Sequence, residues 1–406
     1  MSIRPLVARF GTGFQSQEKQ DFPGYREEQH QHFWRYFVTP QAWKWPEVWM
    51  TCTRSQAVID GFSPNLNKSL HIGHLRQLAL ANCLSRALAG AEFVSLLGTT
   101  GILKKSVDEL QEWFDFVGFQ PTLHYDALMP QDADIVPRHE GEGDKAGALV
   151  WDGPRGPVVV FRKADESGYR RATYAFHDLA FAATVAPDFY VTGVEQVEHF
   201  QNLGLAEKHL PMGLVMDSQG KKLKSRTGDA MTAKEAFEAV EAVMKPVPDP
   251  KKIVWNVIAW NLLATGRGTN VKFEPELWVK PEAPGMYCSY TWARLNSALS
   301  GPDEEVDGSF GDEKSMNDTD VELAGYSQYH LYHIGNTNET LDPAGLANYL
   351  YDLCRRATKA YHSERIRDGR PGFRFAISQC KLAIEECMKT LGMFPVLMRE
   401  EETDVQ

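Results

Sequence analysis

Residues 57–97 leave the fold less freedom than any other part of the chain. Ala57-Val58-Ile59 is a short β-branched run that leads into the turn-rich string Gly61-Phe62-Ser63-Pro64-Asn65. From about Gly73, Leu80, Leu84, Ala87 and Leu88 share one helical stripe that stops at Gly90, and residues 92–97 read as a second strand. Strand, polar loop, helix, strand is the βαβ unit of a parallel sheet. Further β runs at 157–162 and 189–192 extend the sheet. Residues 137–157, with five glycines, read as an inserted loop and hairpin between its halves.

Beyond residue 246 the periodicity turns helical. Residues 253–263 and 287–299 are apolar or aromatic helices. Asp342 reads as an N-cap with Pro343 at the first helical position, ahead of the stripe Leu346, Leu350, Leu353, Ala357, Tyr361. A last stripe, Ile377, Cys380, Ile384, Met388, Leu391, ends at Gly392. Residues 302–322 are acidic and poor in apolar side chains, which predicts a solvated loop. The first 55 residues have weak periodicity and are expected to be an irregular leader or small helical cap.

Composition narrows the class. With 43% hydrophobic and 24% charged residues the chain reads as globular, and a net charge of −11 excludes a generally basic nucleic-acid binder. Nucleic acid would need a local basic face. The six cysteines (Cys52, Cys83, Cys288, Cys354, Cys380, Cys387) include no Cys-x-x-Cys pair, so neither a metal site nor a disulfide framework is expected. Arg4 and Arg9 interrupt any apolar leader, and no run is long enough to cross a membrane. A soluble, cytoplasmic protein is expected.

Two segments carry chemistry. After the first strand, Lys68 precedes His71-Ile72-Gly73-His74 at the start of the helix. Two imidazoles three apart lie close on a first turn, where unsatisfied N–H groups and the positive dipole end attract anions. Gly73 lets a flat base or a backbone approach. These residue types suit a nucleoside triphosphate attacked at its α-phosphate. They equally fit a polar helix surface or part of a metal site. Some 150 residues on, Gly220-Lys221-Lys222-Leu223-Lys224-Ser225-Arg226-Thr227-Gly228-Asp229 sets four cations in a Gly-bounded loop before a helical pattern at 233–240. Such a loop can clamp a pyrophosphate as its charge builds. Alone it also reads as a solvated Lys-rich turn.

Together, His71-Ile72-Gly73-His74 and Lys222-Leu223-Lys224-Ser225-Arg226 resemble the two signature motifs of class I aminoacyl-tRNA synthetases, and of the arginyl branch in particular. That branch places Ser-Pro-Asn and a Lys before its first motif, here Ser63-Pro64-Asn65 and Lys68. It commonly lacks the second lysine of the later motif, here Ser225, which the upstream lysine offsets. The stretch Tyr174-Ala175-Phe176-His177-Asp178 resembles the family's Tyr-(x)3-Asp element, which recognises a guanidinium. The stretch from Val191 to Phe200 resembles its Val-Gly-x-x-Gln-x-x-His-Phe element, with Gln196 as a substrate contact. Tyr287-Cys288-Ser289-Tyr290-Thr291-Trp292-Ala293-Arg294 resembles the Tyr-x-Gln-Tyr-x-x-Ala-Arg helix that begins the family's anticodon-binding domain. Each aromatic there also reads singly as helix packing, and Asp178 and Tyr174 alone as core residues.

The resemblance implies an α/β fold, a Rossmann-type parallel-sheet catalytic domain at 56–245 with an insertion at 103–160, followed by an all-α anticodon-binding-like domain at 246–406. It implies ATP with Mg²⁺, arginine, and an arginine-specific tRNA as partners, no membrane, and leaves the oligomeric state open. Expected roles are catalysis for His71, His74, Lys68, Lys222 and Arg226. ATP binding falls to Gly73, Lys224 and Ser225, arginine binding to Asn65, Tyr174, Asp178 and Gln196, and tRNA binding to Tyr287, Tyr290 and Arg294. The chain departs from the pattern in three places. Ser95 and Gly98-Thr99-Thr100-Gly101 replace an Asn and a Gly-Asp-Trp-Gly turn, Ser289 replaces a tRNA-contacting Gln, and about 55 residues stand where the family has a full N-terminal domain. They motivate a second expectation, a transferase that takes arginine from arginyl-tRNA, without ATP, into a cyclodipeptide or other peptide product. A third is a non-catalytic RNA-binding paralogue.

Overall fold

A computed structural model describes residues 56–88, 90–99, 104–223, 230–300, 315–366 and 369–397, and the backbone of four strands nearer the N-terminus. The chain divides into two compact units. One comprises Arg54–Ala242 and Thr265–Pro275, the other Met1–Thr53, Val243–Ala264 and Glu276–Gln406.

The four N-terminal strands are β1 (Leu6–Val7), β2 (Gly13–Ser16), β3 (Tyr25–His30) and β4 (Phe33–Val38), an antiparallel sheet in the order β1-β2-β4-β3. This replaces the irregular leader or helical cap expected there. Phe33-Trp34-Arg35-Tyr36-Phe37-Val38 is rich in the aromatic and β-branched residues that suit a pleated ladder, a composition signal that period-seeking overlooks.

The α/β unit is built on β5 (Val58–Asp60), α1 (Ile72–Ala87), β6 (Glu92–Leu97), α2 (Lys104–Val117) and β7 (Thr122–Tyr125). A three-stranded antiparallel sheet follows, β8 (His139–Glu140), β9 (Leu149–Gly153) and β10 (Gly156–Phe161), then α3 (Tyr174–Thr184), β11 (Phe189–Gly193), α4 (Val197–Asn202), β12 (His209–Met212), β13 (Val215–Met216) and α5 (Ala233–Val243). The main sheet runs β12-β11-β5-β6-β7, all pairs parallel. Residues 104–125, expected inside an insertion, therefore supply a crossover helix and the sheet's edge strand. α2 is amphipathic, burying Leu110, Phe114 and Val117, as a helix covering one sheet face must.

Side chains of the sheet and the antiparallel hairpin meet in one core that includes Val94, Val160, Phe161, Phe176, Phe181, Tyr190 and Phe200. Phe176 and Phe181 come from α3, where Thr173 caps the helix by accepting from the Phe176 N–H. Each buried phenyl ring contributes roughly 1.5–3 kcal/mol. That packing fixes the face of α3 carrying Tyr174 and Asp178.

The chain continues through α6 (Pro250–Leu263), β14 (Val271–Lys272) and α7 (Pro275–Trp278) to α8 (Pro284–Leu299), α9 (Asp318–Thr340), α10 (Ala344–Ser363) and α11 (Pro371–Thr390). β14 pairs with β13 in the α/β unit. Part of the acidic segment expected as loop is helical, because Asn317 and Asp320 form a reciprocal capping box that starts α9 and places Asp318 and Asp320 at its positive end. Residues 301–314 lie outside the described residues. Asp342 accepts from the Ala344 N–H, and Pro343 flanks α10. Cys288, Cys354, Cys380 and Cys387 are fully buried as small hydrophobes between these helices. The indole of Trp255 donates to Gly392 O at 2.8 Å, where a φ of +71° suits glycine at the end of α11.

Candidate functional site

In the sheet order β12-β11-β5-β6-β7 the connections run outward on both sides of β5, so the crevice at the carboxyl ends of β5 and β11 is a topological switch point. A cavity of about 540 Å³ opens there. Residues at or just past the ends of all five strands line it, namely Asp60, Gly98, Asp126, Gly193 and Met212.

Of the residues expected from sequence, Asn65, His71, Gly73, His74, Tyr174, Asp178, Gln196 and Lys222 share this one cavity wall. Lys68 is exposed and stands outside the wall, although its charge is felt at His71. Lys224, Ser225 and Arg226 lie outside the described residues. Tyr287, Tyr290 and Arg294 are on α8, in the other unit.

The two chemical motifs meet through backbone hydrogen bonds. Ile72 N–H donates to Met231 O at 3.0 Å and Ala233 N–H to Leu70 O at 2.8 Å, so the chain leaving the cationic loop is laid along the start of α1. On the other side, Lys222 bridges to Met216, and Asp217 accepts from the N–H groups of Gln219 and Lys221 to form a tight turn. Gly220 takes a φ of +78° in that turn.

The imidazoles are set by the helix they begin. His71 is the N-cap of α1, and its Nδ1 accepts from the Gly73 N–H at 3.1 Å. His74, at the third helical position, accepts through its own Nδ1 from the His71 N–H at 3.0 Å. The rings stack with centroids 3.8 Å apart. With both Nδ1 atoms used as acceptors, the proton of each neutral ring sits on Nε2. Burial holds His74 down to about 3, helped by His71, and burial also lowers His71. Both rings are therefore neutral N–H donors at physiological pH, beside a helix N-terminus.

Carboxylates line the same cavity. Asp178 and His199 are joined at 2.6 Å, and Asn65 Nδ2 donates to the Tyr174 hydroxyl at 2.7 Å. Asp60 was missed by sequence reasoning. It is 5% exposed, accepts from the Ser63 hydroxyl, and is pushed up to about 7 by burial, with the Asp178 charge adding to the rise. The available signal was an acid closing the apolar run Ala57-Val58-Ile59, at the strand end where α/β sheets bind ligands. Asp126 was missed too. It accepts from both the N–H and the hydroxyl of Thr99, so a carboxylate from the next strand end stands against the turn that lacks the family's Asp.

An ionised Asp60 costs the folded state stability. Its folded pKa lies above the ordinary 3.8, so the cost is absent below pH 4, grows between pH 4 and 7, and is complete above 7. Asp60→Asn is expected to raise the thermal midpoint at pH 8, by up to about 4 kcal/mol of stability, and to leave it nearly unchanged at pH 4. Melting curves at the two pH values check this.

Comparison with known proteins agrees with the geometry. Residues 288–397 match the DALR anticodon binding domain. Arginine–tRNA ligase 1 of Bacillus cereus is 25% identical over 320 residues, covering 69% of this chain and 55% of that protein. The arginyl-tRNA synthetase structures of Plasmodium falciparum and Thermus thermophilus superpose with TM-scores of 0.68 and 0.65, at 13% and 17% identity. Both cover 93% of this chain, and 87% and 90% of theirs. Parallel sheet, paired motifs and helical domain thus define a class I aminoacyl-tRNA synthetase fold. In sequence and fold the chain is similar to arginyl-tRNA synthetases. It spans about half the length of the curated relatives it matches.

Proposed function

We propose that this protein activates arginine with ATP and transfers it to the 3′ end of a tRNA. The observation that carries the reading is one cavity lined by both neutral imidazole donors and two buried or half-buried carboxylates. Arginine brings two cations, an ammonium and a guanidinium, and Asp60 and Asp178 offer one carboxylate to each. The planar guanidinium suits Asp178 with Tyr174 and Asn65 beside it.

The arginine carboxylate attacks the α-phosphorus of ATP. The Nε2–H groups of His71 and His74 donate to the phosphate oxygens as charge shifts onto them, and Lys222, with Lys68 and Arg226, neutralises the departing pyrophosphate. The terminal ribose hydroxyl of the tRNA then attacks the carbonyl of the arginyl adenylate, the mixed-anhydride bond breaks and AMP leaves. Positioning and electrostatics supply the acceleration, so no nucleophilic side chain is needed. Mg²⁺ carried by the triphosphate would neutralise part of its charge. Glu195, a cavity carboxylate felt by His71, is the group suited to this hard cation.

The test is arginine-dependent ATP–pyrophosphate exchange and charging in the presence of tRNA. Peptides formed from pre-charged arginyl-tRNA without ATP, with no exchange, would overturn activation in favour of the transferase reading. Arginine affinity carries a further mark. The free site must ionise Asp60 to pair with a cation, so KM for arginine is expected to fall about tenfold from pH 6 to pH 8, and to be flat in Asp60→Asn.

The helical unit supports a tRNA partner. On α8, Tyr290 is 53% exposed, whereas Tyr287 packs on Tyr351 and Arg294 lies 4.0 Å over the Tyr361 ring. Ser289, at the family's Gln position, is fully buried between Asn256 and Gly285 O. Tyr290→Ala is expected to raise KM for tRNA with little loss of stability, roughly 10-fold if the ring stacks on one base. Arg294→Ala is expected to lower stability as well. Filter binding and thermal melts separate the two.

A further inference from the structure

We infer that His199 is the positioning residue that makes Asp178 selective for a guanidinium. This rests on the reading of Asp178 as the guanidinium acceptor. The terminal torsion of an aspartate is soft and two-fold, so its carboxylate plane is free unless another group holds it. A fork-shaped cation needs that plane fixed, because two parallel N–H···O bonds form at only one orientation.

His199 supplies the hold. Its Nε2 is 2.6 Å from Asp178 Oδ2, and both side chains are about three-quarters buried in the cavity wall, at 27% and 28% exposure. A carboxylate only accepts, so the imidazole donates through Nε2–H to one lone pair of Oδ2 and leaves Oδ1 and the second lone pair of Oδ2 to the ligand. The ring itself is held by its neighbour in α4. Phe200 is 4% exposed and stacks flat on the His209 ring, with centroids 4.4 Å apart and planes 7° from parallel. His209 in turn bonds the Thr192 hydroxyl at 2.8 Å. α4 is thus locked into the core by Phe200, while His199, the residue before it, turns to the cavity. The His-Phe pair is one device: an anchor and a pointer.

The test uses His199→Ala, His199→Gln and His199→Asn in steady-state kinetics with the full chain. The Gln amide nitrogen reaches about where imidazole Nε2 lies, and the Asn amide falls one carbon short. In His199→Ala, KM for arginine is expected to rise roughly tenfold while KM for ATP stays at the wild-type value. The preference for arginine over citrulline, which keeps the shape without the charge, should fall in parallel. Gln is expected to recover most of the loss, and Asn none of it. If the alanine variant fails to fold, the Gln–Asn comparison carries the test. Unchanged arginine KM in His199→Ala, equal behaviour of Gln and Asn, or a parallel rise in ATP KM would each overturn the inference. Asp178→Asn separates the two levels. If it leaves arginine use intact, the underlying reading fails. If it impairs arginine use while His199→Ala is silent, only the positioning role fails.

Discussion

Replacing His74 with alanine is expected to slow arginine-dependent ATP–pyrophosphate exchange by about 100- to 1,000-fold, the usual cost of one preorganised donor to a developing oxyanion. The ring has two jobs that can be parted. Its Nδ1 caps α1 by accepting from His71 N–H, and the ring, with its proton on Nε2, is part of the cavity lining. Alanine removes both, and the lost cap costs about 1 kcal/mol of stability. His74→Glu is the informative partner, since Glu at the third helical position restores the capping box but offers the phosphate an acceptor in place of a donor. Its melting temperature should return to near wild type while its exchange activity stays lost. Because burial holds His74 down to about 3, a fall in activity between pH 7 and pH 5 is not expected to come from this ring. A His74→Glu variant with normal activity would remove the imidazole pair from the mechanism.

Asp178→Asn is expected to raise KM for arginine roughly 100-fold, about 3 kcal/mol, with KM for ATP unchanged. Asparagine keeps the size and can still accept from His199, so the wall stays in shape and only the charge is lost. The effect should therefore sit on arginine alone, and binding of citrulline should change little. Isothermal titration with each amino acid reads this directly. Equal losses for both would mean that Asp178 shapes the wall and does not read charge.

Much of the site was legible in the chain because its signals are local. A turn after a β-branched strand, imidazoles three apart on a first helical turn and a Gly-bounded cationic loop are each short-range patterns. Short-range patterns survive without knowledge of the fold. Asp60 and Asp126 escaped because each is an acid whose meaning depends on which strand end lies beside it. Asp60 acquires a pKa of about 7 through burial next to Asp178, well over a hundred positions away in sequence. Tyr287 and Arg294 carry contacts that residue type does not show. As residue types they suit stacking on bases, but in the structure each rests on a ring of α10.

The same division holds for the whole molecule. Hydrophobic periodicity and the two motifs were sufficient for the βαβ beginning, the helical second half and the residues that meet at the candidate site, because period and spacing are properties of neighbouring residues. The strand character of residues 25–38, the crossover helix and edge strand at 104–125 and the acidic lining of the cavity needed the fold. Strand order decides which carboxyl ends converge, and no residue carries that information alone. The βαβ unit at 57–97 dictated a parallel sheet. The packing of β11 against β5 then brought a pair of histidines into one cavity with Asp60 and Asp178.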